Sequence, residues 1–101
     1  MTLLDRLFVE IEGLASEEIA FDSDQFPEDI ELSENEHVEW VASTFVDPAM
    51  IYLYKCWIDG ANACFFSVYT SDGGVVAGGE GPWNSLKDGK ASYAATEGWT
   101  T

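Results

Sequence analysis

The chain has 101 residues, with 19 Asp and Glu against 4 Lys and Arg, and its formal net charge is −15. This length suits one domain, over residues 1–101, with a single modest core. Because 47% of the residues are hydrophobic and 14% are aromatic, the composition excludes an acidic disordered tail. The negative charge disfavours direct binding to nucleic acid or to anionic membranes, so we expect a partner that is basic.

The sequence also bears on the compartment. No apolar run approaches the roughly 18 residues of a membrane span, and residues 1–6 lack the basic region of a cleavable signal. We therefore expect a soluble, cytoplasmic protein. In that reducing compartment, Cys56 and Cys64 are expected to be two small buried thiols. A cross-strand disulfide is the alternative, and it requires a three-residue loop that makes the two cysteines face each other.

The first element in chain order is a helix. Thr2 with Asp5 three residues later forms a weak capping box, and the leucines and isoleucines that follow recur at helical spacing. The pattern predicts a helix over 2–14 that stops at Gly13, where glycine provides an inexpensive left-handed cap. Over 15–33 the apolar residues alternate with acids, which predicts one or two short strands joined by a turn.

Residues 34–46 fit two interpretations. Ser33 and Glu36 form a second capping box, and the apolar residues that follow fit one face of a helix. The apolar residues at 38, 40 and 42 also alternate as in a strand, and the stretch is rich in Val and Thr. We favour a third helix over 34–46, because two independent signals agree on where it starts.

The period then changes to two. The alternation predicts strands over 50–58, 63–70 and 75–79, separated by turns at Asp59-Gly60 and at 71–74. The expected result is an antiparallel meander over 50–80. A last helix follows, with Ser85 as its cap and an alanine-rich run to Gly98. The expected fold is α+β, with a three- to five-stranded antiparallel sheet packed against an N-terminal and a C-terminal helix.

Enzymatic chemistry has little support in the sequence. His37 is the one histidine and lies among Glu34, Glu36 and Glu39, where a His–Glu pair could transfer protons. The competing interpretation is a solvated residue on an acidic surface. Two cysteines and one histidine do not make a metal site, and the glycines over 73–81 lack the Lys-Ser/Thr of a phosphate-binding loop. We expect no enzyme, no metal and no cofactor.

The positive functional signal is the distribution of acids. No basic residue occurs between Arg6 and Lys55, whereas 13 of the 19 acids lie there. Carboxylates two apart on a strand, or three to four apart on a helix, are about 5–7 Å from each other, which is comparable to the phosphate spacing of a nucleic-acid strand. A row of them can occupy a groove that would otherwise hold nucleic acid. The predicted partner-binding residues are Glu17, Glu18, Asp22, Asp24, Glu28, Asp29, Glu31, Glu34, Glu36, Glu39 and, as an aromatic anchor or alternatively a core residue, Trp40.

The carboxy-terminal half has a recognisable layout. A strand over 64–70, a turn at 71–74, a glycine-rich strand over 75–81 and a helix that opens at Ser85 follow each other. This layout resembles the strand–hairpin–helix unit of many small phage and mobile-element proteins. A short, acidic, single-domain chain without a catalytic motif is similar to the anti-CRISPR proteins. That class has no common fold or signature, so no functional residue is carried over from it.

The resemblance implies a stoichiometric inhibitor. Such a protein would occupy the DNA- or RNA-binding surface of a CRISPR effector subunit or another defence nuclease, in the cytoplasm of the host cell, as a monomer or a homodimer. Two other interpretations stay open. The first is an immunity protein that neutralises a basic nuclease toxin, and the second is a salt-adapted acidic housekeeping domain, for which acids would be frequent and lysines scarce throughout.

Overall fold

The computed structural model describes residues 2–22, 30–71, 73–93 and 98–100. These residues form a helix α1, Leu3–Ser16, the strands β1, Glu36–Val46, β2, Ala49–Ile58, β3, Cys64–Thr70, and β4, Val76–Trp83, and a short helix α2, Leu86–Ala91. The strands make one antiparallel sheet in the order β1–β2–β3–β4. The α+β prediction is confirmed: a meander of sequence neighbours with a helix before it and another after it.

Helix α1 starts as predicted and ends later than predicted. Thr2 Oγ1 accepts a hydrogen bond from the Asp5 amide, and Asp5 Oδ2 accepts one from the Thr2 amide, each at 3.1 Å. This capping box lowers the pKa of Asp5. The predicted stop at Gly13 is wrong, because the helix continues to Ser16. Glu18, with φ 55°, takes the left-handed conformation that follows the helix.

The predicted third helix over 34–46 is also wrong, because this stretch forms β1. The pair that suggested a helix cap makes a turn instead. The Ser33 amide donates to Glu36 Oε1 at 2.8 Å, and the Glu36 amide donates to the Ser33 carbonyl at 3.0 Å. The register with β2 shifts between Trp40 and Ala42, so a bulge interrupts the alternation that would have identified a strand.

The segment that follows α1 runs beside the start of β4. Ala20 forms an isolated bridge with Val75, and the amide of Phe21 donates to the carbonyl of Gly74 at 3.0 Å. Among the described residues of 15–33, the predicted short strands are absent, and the one β-type pairing is this bridge. Residues 23–29, which include the predicted turn, lie outside the described residues.

One face of the sheet packs against α1. The residues buried there come from α1, from Phe21 and Ile30, and from alternate positions of the strands. Tyr54 and Phe66, both fully buried, stack at the centre with ring centroids 5.5 Å apart. The core cluster consists of Leu3, Leu4, Leu7, Ile11, Phe21, Ile30, Tyr54, Cys56, Phe66, Val68 and Val76.

The opposite face packs against α2. Gly89 lets this short helix approach closely, since a Cβ there would lie 3.2 Å from Trp83 and 3.5 Å from Leu53. After the helix, the hydroxyl of Tyr93 shares a hydrogen bond with that of Ser67, and burial raises the pKa of Tyr93 to about 12. The described residues 98–100 then reach the outer edge of β1.

Gly79 fixes how closely α1 approaches the sheet. A Cβ at Gly79 would lie 2.7 Å from the Ser67 carbonyl oxygen and 3.2 Å from the Phe8 ring. Gly79→Ala is therefore expected to reduce the free energy of unfolding by about 1–3 kcal/mol through overpacking. Gly13 is the matched control, because a Cβ there meets nothing within 4 Å. Gly13→Ala should stabilise the helix by about 0.5–1 kcal/mol. Urea unfolding measures the change in the free energy of unfolding of each variant, which should be a decrease for Gly79→Ala and an increase for Gly13→Ala. A destabilised Gly13→Ala would contradict this account.

Candidate functional site

The basic residues are divided between two sides of the sheet. Arg6 lies on α1, where its Nη2 donates to Glu36 Oε1 at 2.8 Å. Lys55 alternates with the core residues of β2 and so projects from the opposite face, 5.1 Å from the Trp57 ring centroid. Lys87 and Lys90 lie on α2, which packs against that same face. Since the chain has 4 basic residues, the α1 side carries a single one, and a carboxylate already occupies it.

Exposed acids collect on the α1 side. Helix α1, Phe21 and Ile30 all pack on the same face of the sheet, so the segments that contain them lie on the same side of the sheet. Glu10 and Glu31 line one cavity of about 340 Å³ with Arg6 and Ile30. We call the exposed acids of these segments the helix-side acidic surface, which consists of Glu10, Glu12, Glu17, Glu18, Asp22, Glu31 and Glu34.

Because the carboxylates of this surface are exposed to water, the repulsion between them is weak. Two carboxylates about 6 Å apart in water repel by about 0.7 kcal/mol, a cost that a folded core can offset. Such a surface holds a negative potential over its whole area, attracts cationic partners and accelerates their association at low salt. Because the packing of α1 fixes the backbone that carries its acids, a partner that binds them orders their side chains but not the chain itself.

The structure brings five of the predicted partner-binding residues together on the helix-side acidic surface. They are Glu17, Glu18, Asp22, Glu31 and Glu34. Another three, Asp24, Glu28 and Asp29, lie outside the described residues. That this set binds a partner stays a prediction.

The remaining three predicted residues occupy different environments. Glu36 is only 11% exposed in its side chain and is paired with Arg6. Glu39 is the cross-strand partner of Lys55, on the opposite face of the sheet from α1. Trp40 packs against the core cluster, and its Nε1 is buried without a hydrogen-bond partner among the described residues. Trp40 therefore follows the core alternative and offers no exposed aromatic anchor.

Two residues of the helix-side acidic surface, Glu10 and Glu12, were missing from the predicted set. Both are exposed on α1. The signal for them was present in the sequence, because the helical spacing of Leu7 and Ile11 places residues 10 and 12 away from the buried stripe. They belong with the other acids once the packing of α1 on the sheet is known.

His37 has a different partner from the one its sequence neighbours suggested. Its Nε2 lies 2.8 Å from Oδ1 of Asp59, and its ring stacks on Trp57 with centroids 5.0 Å apart and an interplanar angle of 23°. The carboxylate beside it thus belongs to the β2–β3 turn and not to Glu34, Glu36 or Glu39. The contacts of His37 tie β1 to β2 and to the turn after it, and Lys55 of β2 lies over the same Trp57 ring.

The Arg6–Glu36 pair makes the free energy of unfolding depend on pH in the acidic range. The hydrogen bond from Arg6, followed by that from the Ser33 amide, lowers the pKa of Glu36 below its ordinary value of 4.5. Because the pKa of Glu36 is lower in the folded than in the unfolded state, its ionised carboxylate adds to the free energy of unfolding at pH values above 4.5. This stabilisation is lost as the pH falls through the folded-state pKa. Glu36→Gln should therefore be less stable than wild type at neutral pH, and the difference should shrink in acid. Urea midpoints of both proteins across pH check this, and a difference that is constant with pH would contradict it.

The described residues contain no group of three or more His, Cys, Asp or Glu arranged to hold a metal ion. Within the same part of the chain, neither helix has the length and apolar character needed to cross a membrane. Comparison with models of protein families finds no match, and comparisons with curated proteins and with solved structures find none either.

Proposed function

We propose that the protein is a non-enzymatic inhibitor that binds the basic nucleic-acid-binding site of a CRISPR effector or another defence nuclease. The observation that carries the proposal is the segregation of charge. Seven exposed acids share the α1 side with one arginine, which Glu36 already occupies, while the three lysines lie on the other side. A nucleic-acid-binding groove lined by Lys and Arg is the natural complement of such a surface.

Spacing supports mimicry of nucleic acid over simple solubility. Glu10 lies on α1 and Glu17 caps its carboxy-terminal end, seven residues or about two helical turns later, and Glu31, from a separate segment, lines the same cavity as Glu10. Carboxylates thus extend along the helix and across to a second segment. Two turns are about 10.5 Å, so Glu10 and Glu17 span about three phosphate steps of a nucleic-acid strand, whose axial repeat is about 3.4 Å. Solubility alone requires no such concentration on one side.

The way of binding follows from the position of Trp40, the predicted aromatic anchor. Because Trp40 packs against the core, the helix-side acidic surface contributes charge more than apolar area. Binding through charge is fast and weakens steeply as salt increases. The inhibitor would then compete with nucleic acid for the same cations and would act at a one-to-one ratio with its target.

The test is a capture experiment with the tagged protein. Lysates from cells that carry defined CRISPR systems are treated with nuclease, so that nucleic acid cannot bridge, and the captured protein is washed at low and at high salt. We expect a basic nucleic-acid-binding complex that stays bound at low salt and dissociates at high salt. The purified complex should lose binding to its own DNA or RNA as the inhibitor approaches one equivalent.

Three outcomes would overturn the proposal. One is a captured complex that still binds its nucleic acid when saturated with the protein. Another is a partner whose retention is unaffected by salt, which would indicate an apolar interface. The third is recovery of a single basic toxin nuclease without any CRISPR component. The protein would then be an immunity protein that binds a toxin through the same surface.

A further inference from the structure

Cys56 and Cys64 face each other across two neighbouring strands. They are direct partners in the register of β2 and β3, both are free thiols, and their sulfur atoms are 3.4 Å apart. Directly opposed residues of antiparallel strands have Cα atoms about 4.5–5.5 Å apart, which lies within the range that a disulfide spans. The backbone spacing at this pair is therefore compatible with a disulfide, which forms when the sulfurs approach each other from 3.4 Å.

The surroundings give the two thiols unequal access. Cys56 is 2% exposed, whereas Cys64 is half-buried. Both line a cavity of about 420 Å³, together with Leu3 and Leu4 of α1 and Pro82 of β4, and none of the residues around it is charged. A small molecule that enters this cavity meets Cys64 before Cys56. Burial raises the pKa of the Cys56 thiol, and its hydrogen bond with Cys64 adds to the effect.

We propose that Cys56 and Cys64 form a thiol–disulfide exchange site that takes a low-molecular-weight disulfide, of the glutathione type, and ends as an internal disulfide between β2 and β3. This inference is independent of the proposed function, because the two cysteines lie in the core and its adjoining cavity and not on the helix-side acidic surface.

The reaction balances in two exchanges. In the first, the Cys64 thiolate attacks one sulfur of the small disulfide, whose S–S bond breaks. One small thiol leaves with the proton that Cys64 gave up, and a mixed disulfide remains on Cys64. In the second, the Cys56 thiolate attacks Cys64 Sγ, and the second small thiol leaves with the proton from Cys56. Two protein thiols are oxidised, and one small disulfide is reduced to two thiols.

The order of attack makes the two single variants behave differently. Cys56→Ser keeps the accessible thiol but lacks the second one, so it should stop at the mixed disulfide on Cys64. Cys64→Ser keeps only the buried thiol, so its reaction should be slower than that of Cys56→Ser by on the order of tenfold or more. Because the thiolate is the nucleophile, every rate should increase with pH.

The experiment uses the folded protein in buffers of reduced and oxidised glutathione, with moderate salt to screen the repulsion between two anions. Samples are quenched in acid at intervals, and intact masses are measured. The wild type should lose two hydrogen atoms and show a transient glutathione adduct. The oxidised wild type should also unfold at a higher urea concentration than the reduced protein, because a cross-link restricts the unfolded chain.

Controls separate this proposal from a folding artefact. Circular dichroism establishes that each variant is folded, and Cys56→Ala replaces Cys56→Ser if the hydroxyl is not tolerated in the core. The wild type in urea shows that the two cysteines can be oxidised when the chain is open. A folded wild type that keeps both thiols reduced, in a buffer that oxidises the unfolded chain, would overturn the proposal. So would a stable glutathione adduct on the wild type without an internal disulfide.

Discussion

Glu12→Lys combined with Glu17→Lys is expected to weaken binding to the basic partner by about a hundredfold. A carboxylate about 6 Å from a partner cation gains about 0.7 kcal/mol in water, and reversal of its charge turns that gain into an equal loss. Each reversal thus costs about 1.4 kcal/mol, or about tenfold in the dissociation constant. The loss should appear mainly as slower association that is less sensitive to salt. Surface plasmon resonance at several salt concentrations measures both effects.

The same variant is expected to fold normally. Glu12 and Glu17 are both exposed and lie towards the carboxy-terminal end of α1. That end carries the negative part of the helix dipole and has no basic residue in its last turn. A positive side chain at position 17, which caps that end, is favourable by about 0.3–1 kcal/mol, whereas position 12 lies before the last turn. The urea midpoint of the variant should equal or exceed that of the wild type, so a loss of binding cannot be attributed to unfolding.

The matched control changes the net charge equally on the other side of the sheet. Glu39→Lys with Asp88→Lys also removes two acids and adds two bases, which takes the formal charge from −15 to −11. Both residues are exposed. Glu39 lies on β1, opposite Lys55 of β2, and Asp88 lies on α2. The control should bind within about threefold of the wild type, since only long-range attraction is reduced. Equal losses of affinity in the two variants would mean that binding depends on the net charge of the protein and not on the helix-side acidic surface.

Leu7→Ala is expected to lower the free energy of unfolding by about 2–5 kcal/mol. Leu7 is 0% exposed and belongs to the core cluster between α1 and the sheet. Its truncation removes apolar contacts and leaves a cavity that the well-packed strands cannot fill. For a domain whose total stability lies at about 5–15 kcal/mol, this is a large part of the whole. Urea unfolding followed by tryptophan fluorescence measures it.

Val9 supplies the comparison on the same helix. It is 56% exposed, so Val9→Ala removes two methyl groups that are mainly in contact with water. Alanine is also the better helix former. The change in stability should stay within about 0.5 kcal/mol. If Leu7→Ala were as mild as Val9→Ala, α1 would not be docked on the sheet, and the acids on α1 and on residues 30–34 would not form one surface.

The elements that the sequence predicts correctly carry their signals locally. Thr2 and Asp5 cap α1 through each other's backbone, and β2 and β3 alternate on either side of a turn that contains glycine. β4 starts close to its predicted position but continues to Trp83, beyond the predicted end at residue 79. The mistake in β1 has a physical cause. Ser33 and Glu36 make the same local hydrogen bond in a turn that they would make at a helix start. The bulge after Trp40 then shifts the alternation, and only pairing with β2 shows that the strand continues.

The candidate site was predictable in composition but not in arrangement. That the described acids between residues 10 and 34 would be exposed follows from their charge alone. Which acids share a side depends on the element that holds each one. Glu39 and Trp40 are adjacent in sequence, but in a strand neighbouring side chains project from opposite faces, so one lies beside Lys55 and the other packs on the core. Had 34–46 been a helix, both could have joined the acids of α1.

The two outer edges of the sheet bear on how the protein behaves at high concentration. At the β1 edge, Ser43 exchanges two backbone hydrogen bonds with Thr100, at 2.8 and 2.7 Å. The β4 edge contains Pro82, which has no amide hydrogen to donate. An open edge strand is a template on which a further strand, and eventually a fibril, can grow. Because each edge is obstructed by a backbone feature, resistance to aggregation should persist in high salt, where the repulsion between acidic chains is screened.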